Sequence, residues 1–226
     1  MESPAQIVAR HRCVLVLDAA STVVQAGLLR TDLPPVWHRA DGDAGQLVFT
    51  LTARCLEDAQ LGIDAVGAFI YCDGPGSMLG TRTVAMALRT WQVLRARPAY
   101  AYHSLALAAV AEQARTPGQA FTLVADARRD SWHALAVATD GAPGPLQRLA
   151  TADLPAGELR TPENFRAWAT LSRPVMTCAY DLAALFAAAE NAALFRTVDA
   201  PDVFQHEAPA YRQWTPAVHR APAAKP

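Results

Sequence analysis

The sequence is poor in the arrangements that build metal and redox sites. Its four cysteines, Cys13, Cys55, Cys72 and Cys178, form no CxxC pair. Each lies in or beside an apolar stretch, so they read as buried reduced thiols rather than metal ligands or half-cystines. The six histidines, His11, His38, His103, His133, His206 and His219, include no i, i+4 pair and no HExxH. That excludes a zinc protease of the usual helical kind. Glycine is sparse, with 12 residues and none after Gly157. Neither sign of charge is in excess: 20 Lys and Arg stand against 21 Asp and Glu, a formal net charge of -1. A chain that held nucleic acid by itself would normally show a basic patch or stripe, and the arginines here are scattered. No apolar run approaches membrane-spanning length. The first run, Cys13 to Leu17, is too short for a secretory signal core. The expectation from these absences is a cytoplasmic protein with no metal or cofactor of its own and no membrane attachment.

What is present is the composition of a folded domain. The chain has 226 residues, 52% hydrophobic and 18% charged. That is enough to bury a sizeable core as one large domain or two small lobes. Cys13 to Asp18 reads as a buried strand ending in an acid, and Thr22 to Leu29 as its hairpin partner, with Val36 to His38 as a further short strand. Asp43 is placed to cap a helix whose apolar positions, Leu47, Val48, Leu51, Cys55 and Ala59, repeat at helical spacing. Ala65 to Cys72 is a strand, and Asp73-Gly74-Pro75-Gly76-Ser77 a sharp loop into a helix running to about Arg97. Tyr100 to Tyr102 is a short strand, with Ser104 placed to cap the Ala-rich helix after it. Further strands are expected over Phe121 to Asp126, Trp132 to Ala138, Leu146 to Ala150 and Val175 to Cys178. Helices are expected from Thr161-Pro162 and from Asp181 to about Ala193. Arg220 to Pro226 is Ala/Pro-rich and reads as a disordered tail.

A strand ending in an acid and followed by another strand occurs twice, at Asp18 and at Asp126. This repeat implies two similar α/β lobes, divided near Tyr102 to Thr116. We set the lobes at residues 1–104 and 105–219, with a tail at 220–226.

Asp73-Gly74-Pro75-Gly76-Ser77-Met78-Leu79-Gly80-Thr81-Arg82 resembles the Gly-Pro-Gly-Ser-Phe-Thr-Gly-x-Arg segment of the TsaB (YeaZ) family. Leu15-Val16-Leu17-Asp18, His103-Ser104-Leu105, Asp126-Ala127-Arg128-Arg129 and Ala208-Pro209-Ala210-Tyr211-Arg212 follow the family's order, so the likeness runs from residue 13 to about 212. The chain departs from the pattern in three places. Asp18-Ala19-Ala20-Ser21 stands for Asp-Thr-Ser-Thr, Met78-Leu79 for Phe-Thr, and Asp43-Ala44-Gly45-Gln46 lacks a His-Ser pair. The resemblance implies an actin-like (ribonuclease H-like) two-lobed α/β fold, with mixed sheets flanked by helices. It also implies a non-catalytic subunit that pairs with a TsaD-like catalytic subunit and works with a TsaE-like ATPase. Together these threonylcarbamoylate adenosine 37 of tRNA, which this subunit meets only indirectly. Alone, such a subunit is expected to form a homodimer. The family has also carried a glycoprotease-type peptidase label.

Each motif also has a plainer reading. Gly74, Gly76 and Gly80 ahead of a helix could cradle phosphate. Their spacing is not that of a P-loop, however, and Thr81-Arg82 replaces its Lys-Ser/Thr. A tight strand-to-helix turn with Ser77 as cap explains the same residues. Asp18 and Asp126 sit where an actin-like ATPase keeps its site acids. The residues after Asp126 are Ala127, Arg128 and Arg129, not a glycine loop, so both acids read as vestigial. Ser77, Ser104 and Ser131 lie outside any Gly-x-Ser-x-Gly. On the two helices, Leu47, Phe49, Leu51, Met78, Met86 and Trp91 put large apolar groups on more than one face. A broad core face is the plain account. With the family resemblance we expect a partner-docking surface instead, next to the motif residues Gly74, Pro75, Gly76, Ser77, Gly80 and Arg82. The rival expectations are an autonomous kinase-like or peptidase enzyme, and a homodimer that has drifted from the family role.

Overall fold

The structure, a computed structural model, describes residues 1–206. The Ala208 to Arg212 segment and the 220–226 tail lie outside the described residues. The chain opens with α1 (Pro4–His11), which a reciprocal Ser3/Gln6 capping box and Pro4 in its first turn set in place. Sequence reasoning missed this helix, although Ser-Pro-x-Gln is its signal.

Two sheets follow the same path. In the first, β1 (Cys13–Asp18), β2 (Val23–Arg30) and β3 (Val36–Asp41) are antiparallel neighbours. After α2 (Ala44–Asp58), β4 (Ala68–Gly74) pairs parallel with β1. After α3 (Met78–Leu94), β5 (Ala99–His103) pairs parallel with β4. The helix α4 (Ser104–Arg115) leads to the second sheet. There β6 (Phe121–Asp126), β7 (Ser131–Val137) and β8 (Gln147–Ala150) are antiparallel, and β9 (Leu159–Pro162) and β10 (Val175–Cys178) extend the other edge in parallel. The last elements are α5 (Leu182–Ala188) and β11 (Arg196–Val198). The strand orders are β11-β5-β4-β1-β2-β3 and β10-β9-β6-β7-β8. Apart from β11, one order is a copy of the other, and this duplicated path is the actin-like two-lobed α/β fold.

Central position explains β1. It has neighbours on both edges and elements on both faces, so all six residues are buried and the strand reads as a continuous apolar run. The second lobe is pared down. Between β8 and β10 the described residues contain no α-helix, only a 3₁₀ turn at Thr151–Asp153. The helix expected from Thr161-Pro162 is therefore not formed. Those residues end β9, whose pairing with β6 and β10 outweighs the local Thr-Pro signal. The helix expected to about Ala193 ends at Ala188, with Asp181 as its cap. Ser104 does not cap α4. It is the first helical residue, and its Oγ donates to the Pro75 carbonyl at 2.5 Å.

The lobes share one core. A single apolar cluster runs from Val14, Val16 and Ile70 of the first sheet through α4 and α5 to Phe121, Leu123 and Leu135 of the second. A separate cluster under α2 and α3 fills the other face of the first sheet. The strand β11, from the far end of the chain, is antiparallel to β5 and closes that sheet. All four cysteines are buried and free. No helix among the described residues is long and apolar enough to cross a membrane.

Candidate functional site

The two strand-end acids, one in each lobe, are both fully engaged. Asp18 is wholly buried at the end of β1. Its Oδ2 accepts the Tyr102 hydroxyl at 2.6 Å and the Tyr180 hydroxyl at 2.7 Å, and its Oδ1 accepts the Ala20 amide at 2.7 Å. Burial pushes its carboxyl pKa up against the opposing pull of those three hydrogen bonds. Tyr102 and Tyr180 are pushed well above the usual phenol range, first by their own burial and then by the Asp18 charge. Asp126 uses Oδ1 for the Arg128 amide at 2.6 Å, and Oδ2 for the Trp168 and Ala169 amides at 2.6 and 2.9 Å. Backbone amides that a phosphate-binding loop would aim at its ligand are here aimed at the protein's own carboxylate.

The glycine loop is a packing device. Gly74 ends β4 at φ 124°, and the Gly74-Pro75 peptide is cis. The Ser77 amide donates to the Ala20 carbonyl at 2.7 Å, and the Ser77 Oγ accepts the Gly80 amide at 3.2 Å as the α3 cap. A Cβ at Gly76 would lie 2.4 Å from the Ala20 carbonyl oxygen, and one at Gly80 would lie 2.0 Å from that of Ala19. The start of α3 therefore rests backbone to backbone on the β1–β2 turn, which only glycine permits at these two positions. Arg82, one turn further along α3, is exposed.

Next to this loop, the buried Asp73 carboxylate bridges His103 Nδ1, at 2.9 Å, and the Arg196 guanidinium of β11. The Phe204 ring lies edge-on to His103, centroids 4.6 Å apart, and within 6.2 Å of His133 on β7. His206 completes the group, 6.1 Å from His133. The segment leading to Phe204 is fixed to the first lobe. Arg89 Nε donates to the Pro201 carbonyl at 2.5 Å, the Tyr71 hydroxyl donates to the Asp202 carbonyl at 3.0 Å, and the Phe204 amide donates to the Asp73 carbonyl at 2.8 Å. An aromatic side chain of the chain itself thus stands between His103 of one lobe and His133 of the other. Sequence reasoning did not find this strap, because nothing local in residues 199–206 marks it.

The third feature is the outer face of α2 and α3. Phe49 is 48% exposed, Met78 47% and Met86 57%. Leu79, Val93 and Leu94 continue the apolar surface at 74%, 86% and 78%, and sequence reasoning passed over the last two. Trp91 is half-buried, packed between Phe49, edge-on at 5.8 Å, and Phe69, tilted at 5.9 Å. Leu47 is half-buried against the core. Leu51 must be corrected: it is 1% exposed and faces the sheet, being three residues from Val48 and four from Cys55 on the inward stripe of α2.

No family model matches the sequence, and no curated protein matches it. Solved structures do. One is YeaZ from Pseudomonas aeruginosa, 19% identical, with 78% of this chain and 90% of that chain covered and a TM-score of 0.60. The fold is YeaZ-like. A second, described as an uncharacterized Pseudomonas aeruginosa protein with similarity to the peptidase YeaZ, is also 19% identical, covers 78% and 89%, and has a TM-score of 0.60. At this identity the YeaZ-like frame is shared, while the residues placed on it are largely this chain's own.

Proposed function

We propose that this protein is a TsaB-type partner subunit without chemistry of its own. It pairs through α2 and α3 with a TsaD-like catalytic subunit of related fold, which carries out threonylcarbamoylation of tRNA adenosine 37 with a TsaE-like ATPase. The observation that carries the reading is the apolar surface of Phe49, Met78, Leu79 and Met86, which adjoins the glycine loop. Large side chains of this kind, left in water on two neighbouring helices, are what a docking face requires. The YeaZ-like fold supports the reading at the level of frame. The engaged acids support it at the level of chemistry. Asp18 is sealed under two tyrosines, Asp126 is held by three amides, and Phe204 stands between the lobes. A kinase-like enzyme would need these groups to face a nucleotide. Among the described residues no group of three or more His, Cys, Asp or Glu could hold a metal ion. A cytoplasmic location and homodimerisation of the isolated subunit belong to the same proposal.

The test is complementation. A bacterial strain depleted of its own TsaB receives this protein together with the TsaD-like protein of the same genome, and threonylcarbamoyladenosine in bulk tRNA is measured. Restoration is expected. Growth without the modified nucleoside, or no rescue despite soluble expression of both, contradicts the proposal.

A further inference from the structure

We infer that the second lobe carries a surface site for single-stranded nucleic acid, built from Arg128, Arg129 and Trp168. This goes beyond the partner-subunit reading, which puts tRNA on the partner, and neither idea depends on the other. The Arg128-Arg129 pair and the distant Trp168 meet here because Asp126 fastens two loops at once, taking the Arg128 amide from the β6–β7 turn and the Trp168 and Ala169 amides from the segment after β9. The Arg128 guanidinium then lies over the Trp168 indole, 5.1 Å from the ring centroid. Trp168 remains 68% exposed. Among the described residues the Arg129 guanidinium takes part in no hydrogen bond or ion pair.

The backbone supports the assignment. Arg128, Arg129 and Asp130 all adopt left-handed conformations, with φ of 63°, 52° and 54°. Such conformations are strained for non-glycine residues, and strain of this kind gathers where side chains are presented to ligands. Bonds across the turn hold it: Ser131 N to Arg128 O at 3.1 Å and Ala127 N to Ser131 O at 2.9 Å.

The chemistry selects the ligand. A flat indole with a guanidinium on it offers a face for an unpaired base, and a second, unengaged guanidinium offers charge for the adjoining phosphate. The two carboxylates present are tied back into their own lobe, Asp126 by the three amides and Asp130 by the Thr151 hydroxyl at 2.5 Å. They weaken the site for a compact polyanion and leave stacking as the main attraction. The hollow between these residues is about 500 Å³ and formed by exposed side chains, so a ligand lies along the surface and is not enclosed. That suits a strand better than a free small molecule. With a net charge of -1, such binding is weak.

The experiment is a fluorescence-anisotropy titration of an end-labelled oligoadenylate of about ten nucleotides, a length typical of such sites, at low salt. It compares the full chain with Arg128→Gln/Arg129→Gln and Trp168→Ala. Wild type is expected to bind. Trp168→Ala should weaken binding by about five- to a hundredfold, the range for one base–aromatic stack. The double arginine variant should flatten the log K against log salt slope by about 0.7, the value for the one single-strand phosphate contact that Arg129 makes. Thermal midpoints should stay unchanged, since all three side chains are exposed. No binding by wild type, variants that bind like wild type, or displacement by AMP at equal nucleotide concentration would each overturn the inference.

Discussion

At the residue scale, His133 is a side chain whose charge the fold opposes. Among the described residues the buried Nδ1 of His133 has no hydrogen-bond partner. Its pKa is lowered to about 4, mainly by burial and then by the neighbouring His206 and Arg148 charges. A folded-state pKa below the unfolded value of 6.5 means that the unfolded chain binds the proton more readily. The stability that comes from neutral His133 is therefore complete above about pH 6.5, and is lost as pH falls from there toward about 4. Urea unfolding at several pH values should show stability declining across that window, by up to a few kcal/mol. His133→Phe should remove most of that decline while leaving stability at pH 8 nearly unchanged. An identical acid limb in the variant would mean that another group controls it. His103, which faces the same Phe204 ring, is held by Asp73 and stays in place in this comparison. None of this was legible in the sequence. An isolated His in Trp132-His133-Ala134 carries no mark of a contact with Phe204, some seventy residues away.

At the element scale, the glycine motif makes a testable distinction between a ligand cradle and a packing joint. Replacing glycine by alanine inside a helix normally stabilises by up to about 1 kcal/mol. At Gly80 the new Cβ would lie 2.0 Å from the Ala19 carbonyl oxygen, a backbone atom that cannot swing aside. Gly80→Ala is expected to destabilise by roughly 1–3 kcal/mol, which for a chain of this size lowers the thermal midpoint by several degrees. An unchanged or raised midpoint in differential scanning calorimetry would refute the joint. The elements around this motif were the legible part of the fold. The Asp43 and Ser77 caps, the apolar stripe of α2 and the continuous run of β1 each state their structure locally. What failed was Thr161-Pro162, where pairing of β9 with β6 decides, and the docking role given to Leu51, which the helical spacing already set on the inward stripe with Val48 and Cys55.

At the scale of the whole molecule, the two lobes are joined by side chains as well as by the chain. Gln25 of β2 donates to the Tyr180 carbonyl and accepts from the Leu182 amide, both at 2.9 Å, and Asp18 holds the Tyr180 hydroxyl. With one core running through both sheets, the halves serve as a single support for the face of α2 and α3. The repeated strand-and-acid pattern made the two-lobed frame legible, but the return of β11 to the first sheet was not, because three paired residues carry too weak a local signal. From a frame with an apolar face on α2 and α3 we expect a subunit that pairs with itself when its proposed partner is absent. A self-complementary patch is most simply closed by a two-fold axis. Light scattering of the isolated protein should show a concentration-dependent dimer at micromolar levels, and a monomer at all concentrations would argue against it.

The central claim is that this face docks a TsaD-like subunit, and one affinity measurement tests it most directly. Met86 is 57% exposed on α3, so a carboxylate there sits in water in the free subunit and is buried unpaired in the complex, at a cost of about 3–5 kcal/mol. Isothermal titration of the cognate TsaD-like subunit into wild type and into Met86→Glu should give a stable complex with the first. With the second, affinity should fall by at least two orders of magnitude, and the thermal midpoint of the free subunit should stay within about a degree of wild type. A wild type that fails to bind, or a Met86→Glu that binds as wild type does, would contradict the account.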